Sequence, residues 1–150
     1  MQTYNIEIEE ETLDSPETEN KVSGLLVINK DKNLILVNIS HPDNRKRFTK
    51  AHELGHYILH KEICPLFIDS SQLVYRRDNI SAEGSRLDEI EANTFAAELL
   101  MPEKKLREEF SNKPPFNIMN ETEIMTLADN YKVSYSAMTY RLINLGLMTI

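Results

Sequence analysis

The chain has 150 residues, 41% of them hydrophobic and 27% charged, a balance that fits one globular domain with a single core. Its net charge of -7 argues against a general nucleic-acid binder, and no apolar run approaches the ~20 residues that cross a bilayer. A single cysteine, Cys64, rules out an internal disulfide, and the opening residues carry no signal-peptide pattern, so a reducing, cytoplasmic setting is expected.

In chain order, Tyr4, Ile6 and Ile8 alternate with polar residues before an acidic, Pro-containing stretch from Glu9 to Asn20. Residues 1–20 read as an edge strand followed by a loop. Val22 to Ile28 and Leu34 to Ile39 are β-rich and flank the polar run 29–33, which predicts a hairpin. A helix is predicted from near Pro42, whose fixed φ suits a helix start, to about His60. Leu73 to Arg77 reads as a short strand. Ser85 offers an N-cap with Asp88 as its capping-box partner. Leu87 to Met101 is apolar on nearly all sides, the mark of a helix in the middle of a core, and Pro102 ends it. A short helix over Glu103 to Phe110, a Pro-Pro loop and two last helices follow. Asn120 with Glu123 caps the first, and Ser134 caps the second, with Gly146 just past its end. The expected fold is α+β: one domain over 1–150, a small antiparallel β-sheet packed on a helical layer, and a helical hairpin over 120–146.

The chemistry concentrates in His52-Glu53-Leu54-Gly55-His56. Residues four apart on a helix share a face, so His52 and His56 can reach one Zn²⁺ at about 2.0–2.1 Å. Glu53 lies about 100° round from His52. There it is badly placed as a ligand and well placed to touch water bound to the metal. Two ligands and a general base are what metal-assisted peptide hydrolysis requires of this pattern. His60 repeats the spacing, but it lies about 12 Å along the axis from His52, too far to share the ion. It is expected to be a packing or surface residue. Leu59 and Glu62 stand where a metzincin would need Gly and His, so the third ligand must come from elsewhere.

The segment Asp88-Glu89-Ile90-Glu91-Ala92-Asn93 is the best source. A carboxylate there would complete a His₂Glu site with an open position for water. Glu89 is favoured because Asn93, four residues on, shares its face and can accept the free ring N–H of a ligating histidine. Glu91 is the alternative ligand; if Glu89 is the ligand, the side of Glu91, continuing through Phe95 and Glu98, makes it a solvated neighbour or the partner of an arginine. Asp88 is expected in the capping box. Tyr75, Arg76 and Arg77, between the two helices, are weak candidates for substrate or oxyanion contacts, against the plainer reading of an exposed strand with solvated charges.

Two rival functions come from other classes. The helices over Glu121 to Leu145 have helix-turn-helix spacing, but the second offers only Arg141 and Asn144 among apolar and hydroxyl residues, which favours core packing over DNA contact. A zinc protein that senses or scaffolds without turnover is the other, though it would have no use for Glu53.

Three stretches carry a family resemblance: residues 47–60 around the histidine motif, residues 89–102, and the run 127–134 with Ala137-Met138, Arg141-Leu142 and Leu145-Gly146. Over about residues 24 to 146 the chain resembles the ImmA/IrrE metallopeptidases, leaving residues 1–20 unmatched. The resemblance implies a zincin-like active-site helix, one zinc held by His52, His56 and Glu89, and Glu53 as the catalytic residue. It further implies a cytoplasmic protease acting on a helix-turn-helix repressor. These 150 residues hold no match to such a domain, so the repressor is expected to be a separate protein.

Overall fold

The computed structural model describes residues 5–13, 23–28, 32–61, 73–74, 82–111, 116–117 and 121–149. They fall into two compact units, residues 1–96 and 97–150.

In the first unit, β2 (Gly24–Ile28) and β3 (Asn33–Asn38) pair antiparallel, Gly24 opposite Val37 and Ile28 opposite Asn33, as the two β-rich runs imply. β1 (Ile6–Glu11) lies on the outer edge of β3, and β4 (Leu73–Val74) adds to β2, giving the order β1-β3-β2-β4. β1 runs parallel to β3, so the sheet is mixed rather than wholly antiparallel. Side-chain alternation reports which face a strand buries but not its direction. In the observed direction Ile6 packs against the core and Glu10 reaches two lysines, Lys46 at 2.9 Å and Lys50 at 2.5 Å.

The helix α1 spans Asp43–His60. Pro42 stands just before it, with φ -57° and ψ 151°, and its carbonyl accepts the first helical bond, from the Lys46 amide at 2.9 Å. Asp43 in the first turn complements the helix dipole. One side of α1 covers the sheet. Tyr57 joins Leu26, Ile35 and Val37 in a buried cluster, with Leu54 and Ile58 packed around it. Each such buried side chain contributes about 1.5–3 kcal/mol.

The helix α2 spans Ala82–Leu100. It begins before Ser85, so Ser85 lies inside the helix rather than at the N-cap position expected of it. Nor is α2 buried all round. Ala92 and Ala96 are fully buried, while Leu87 is 62% and Ile90 52% exposed. Apolar composition overstates burial here, because small alanines rather than the large residues form the packed stripe.

The second unit holds α3 (Glu103–Phe110), β5 (Phe116–Asn117), α4 (Glu121–Tyr131), α5 (Tyr135–Asn144) and β6 (Met148–Thr149). β5 and β6 pair in parallel. Leu106, Phe110, Ile124, Met138 and Leu142 are buried. Ser134 caps α5, its hydroxyl accepting from the Ala137 amide at 3.1 Å. Gly146 has φ +67°, the left-handed turn that glycine permits beyond a helix end. The expected cap Asn120 lies outside the described residues, as do Tyr75, Arg76 and Arg77.

Candidate metal centre

α1 and α2 come together at a glycine. A Cβ on Gly55 would meet the Phe95 ring at 3.1 Å and the Ala92 Cα and carbonyl at 3.2 Å. Glycine inside a helix costs about 0.5–1 kcal/mol relative to alanine, and the return is backbone contact between the two helices. That contact sets the height at which carboxylates on α2 meet imidazoles on α1.

Three donor atoms converge there. The Nε2 atoms of His52 and His56 are 3.1 Å apart. Glu89 places Oε1 at 3.2 Å from His56 Nε2 and Oε2 at 3.5 Å from His52 Nε2. An ion bound tetrahedrally at about 2.0–2.1 Å has its ligand atoms about 3.3 Å from one another. The observed separations bracket that value, so His52, His56 and Glu89 fit a metal ion with no rearrangement. Both histidines are buried and the Glu89 side chain is 23% exposed, which leaves a solvent-facing side for a water or a substrate. The helix is not rotated to bring Glu91 here.

The outer ring nitrogens are also engaged. Asn93 Oδ1 lies 3.0 Å from His52 Nδ1. His56 Nδ1 lies 3.1 Å from His60 Nδ1, and His60 Nε2 lies 3.0 Å from Glu91 Oε2 and 3.8 Å from Asp88 Oδ1. His60 is therefore a buried packing residue, as one of the two expectations had it, but one whose two ring nitrogens both find polar partners. Glu91 is a solvated neighbour, its side chain 61% exposed, and it pairs with a histidine rather than an arginine, while Asp88 departs from expectation by facing His60. The i, i+4 repeat His52, His56, His60 was the available signal. It excludes a shared ion for His60, but a helix neighbour can still hold a ligand's far nitrogen.

Glu53 is half-buried between the histidine face and the sheet. A Cβ on Gly24 of β2 would lie 3.4 Å from the Glu53 stem, and it would overlap Thr49. The sheet thus closes against α1 beside the carboxylate. His60, Asp88 and Glu91 form a second group whose donor atoms also lie within 4.8 Å of one another.

The chain is similar to known proteins. A peptidase family described as IrrE N-terminal-like domain matches residues 4–143, so most of the opening stretch that the motifs left unmatched falls within it. The Metallopeptidase ImmA of Bacillus subtilis (strain 168) is 32% identical over 88 residues, which cover 59% of this chain and 47% of that protein. The alignment thus spans about half of the relative's length.

Proposed function

The chain belongs to the ImmA/IrrE peptidase family, and from that premise we propose that it is a zinc-dependent endopeptidase. His52, His56 and Glu89 hold one Zn²⁺ per chain, Glu53 is the general base, and Asn93 orients His52. The observation that carries this reading is the donor triangle of 3.1, 3.2 and 3.5 Å, whose edges suit tetrahedral zinc. Two imidazoles and one carboxylate are the ligand set of open, hydrolytic zinc sites.

When bound, the ion supplies Lewis acidity to the scissile carbonyl and acidity to the attacking water. Glu53 accepts the water proton on its carboxylate and delivers it to the leaving amine. His52 and His56 keep their rings fixed through their outer nitrogens. The packed Gly55 contact holds Glu89 at ligand distance.

The proposed substrate is a protein, a separate helix-turn-helix repressor, and the proposed setting is the cytoplasm. Among the described residues no helix is long and apolar enough to cross a membrane. Direct DNA binding is not part of this reading. Arg141, the main cation of α5, is buried and donates to the Met101 carbonyl at 3.0 Å and to Glu98, so it is spent within its own unit.

Metal analysis of protein purified without added zinc is expected to give about one equivalent; values near zero in folded protein would overturn the reading. Co-expression with neighbouring repressors, followed by mass spectrometry, is expected to yield repressor fragments with wild type and none with Glu53→Gln. Equal repressor release by both would favour a zinc protein that acts without turnover.

A further inference from the structure

We propose that His60 is a positioning residue for the metal site, and that Glu91 fixes its orientation. This rests on the zinc reading above. His56 offers its Nε2 to the ion, so the proton of its neutral ring must sit on Nδ1. That N–H points at His60 Nδ1, 3.1 Å away. His60 can accept it only if its own Nδ1 is bare, which puts the His60 proton on Nε2. Nε2–H in turn meets the Glu91 carboxylate at 3.0 Å, with Asp88 behind it at 3.8 Å. One direction of donation therefore runs from His56 through His60 to Glu91, with every donor matched to an acceptor.

The same logic decides against the obvious competitor, a second metal on His60, Asp88 and Glu91. A metal on His60 Nε2 would move the His60 proton to Nδ1. Two N–H groups would then face each other across the 3.1 Å contact. Filling the first site thus opposes filling the second. The arrangement matches its neighbour, where Asn93 Oδ1 accepts from His52 Nδ1 at 3.0 Å. Each ligating histidine is held from behind by an acceptor, an amide for one and an imidazole for the other. Partners of this kind fix ring orientation and tautomer and raise ligand basicity.

The test uses the full chain and Zn²⁺ itself. The chain has four histidines, few enough for long-range proton–nitrogen spectra to assign each ring's tautomer in the zinc-loaded protein. His60 is expected protonated on Nε2 and bare on Nδ1. Zinc affinity, measured by competition with a chromophoric chelator, is expected to fall ~10–100-fold in His60→Leu. His60→Asn, whose amide oxygen takes the place of Nδ1, is expected to restore affinity to within a few-fold. His60 protonated on Nδ1, undiminished affinity in His60→Leu, or His60→Asn as weak as His60→Leu would each overturn the proposal. So would a second zinc equivalent lost on mutating His60. Should His60→Leu not fold, the wild-type tautomer and His60→Asn still decide. Wild type that takes up no zinc sinks the zinc reading and this one together; stoichiometric zinc unaffected by His60 sinks this one alone.

Discussion

The two sides of α1 are built to different tolerances. Towards the sheet, Leu54, Tyr57 and Ile58 meet Leu26, Ile35 and Val37 through apolar area. Towards α2, three histidines, a glycine and the polar residues of residues 88–93 meet through atoms 3.0–3.8 Å apart. Area is forgiving, since an apolar swap of similar volume costs under about 1.5 kcal/mol. Directional contacts are not, because a few tenths of an ångström removes a ligand or a hydrogen bond. The sheet side therefore sets stability and the α2 side sets chemistry.

Swapping the two carboxylates of α2 tests this division most severely. Glu89→Ala is expected to weaken zinc binding by ~10³-fold or more, about 4 kcal/mol, and to abolish hydrolysis. Glu91→Ala removes the nearer of two carboxylates behind His60, leaving Asp88 at 3.8 Å to accept in its place, and is expected to stay within a few-fold on both counts. Parallel zinc dissociation measurements decide; the reverse order would mean that Glu91 is the ligand. Glu53→Gln comes next, with zinc retained and proteolysis down ~10²-fold or more. Turnover unchanged in that variant would remove Glu53 as the base.

Much of this was legible in the sequence, for reasons that differ by residue. The hairpin, the bounds of α1 near Pro42 and His60, and the caps Ser134 and Gly146 follow from local rules of period and backbone conformation. That Glu89 rather than Glu91 turns towards His52 and His56 follows from the face it shares with Asn93. The direction of β1 was not readable, since side chains alternate identically in parallel and antiparallel strands. Nor was the start of α2, where a plausible cap at Ser85 lies inside the helix. The polar role of His60 is not legible from ligand spacing alone, because that spacing says nothing of the second nitrogen of His56. Gly55 was open to inference: glycine in mid-helix is disfavoured, so its presence there points to close backbone approach.

Gly55→Ala and Leu26→Ala sharpen the contrast, since they should pull stability and metal affinity in different directions. Leu26 is 2% exposed on the sheet side, and truncating it is expected to cost about 2–5 kcal/mol of stability. The fraction that stays folded should bind zinc nearly as wild type. Gly55→Ala improves helix propensity by about 0.5–1 kcal/mol, yet the new Cβ meets the α2 backbone at 3.2 Å. The helices must part, carrying Glu89 away from His52 and His56. Zinc affinity is expected to fall ~10-fold, a ligand displacement worth about 1.4 kcal/mol. Thermal unfolding of the metal-free forms and chelator competition of the loaded forms measure the two quantities separately. A Gly55→Ala variant with wild-type affinity would show that the helix contact does not set ligand position.

The smallest effect lies where β1 is tied to α1 on the sheet side. Glu10 accepts from Lys50 at 2.5 Å and from Lys46 at 2.9 Å. Those two bonds, Lys50 first, hold its carboxyl at about 2, below the ordinary 4.5. A folded-state value below the unfolded one stabilises the fold above pH 4.5, and the contribution drains away as pH falls towards 2. The residue is on the surface, where salt screens the pairs and the net gain is small. Wild type and Glu10→Gln, both metal-free, are therefore expected to differ most near neutral pH and low salt, and to converge in acid. Unfolding midpoints across that range check it; a gap that persists unchanged down to pH 2 would show that the ion pairs are not its source. The same variant probes the independence of the two sides of α1. Its zinc affinity at neutral pH is expected to equal that of wild type, because Lys46 and Lys50 reach Glu10 of β1 rather than α2. A loss as large as that of Gly55→Ala would mean that strain on the sheet side reaches the metal, and that the two sides of the helix act as one.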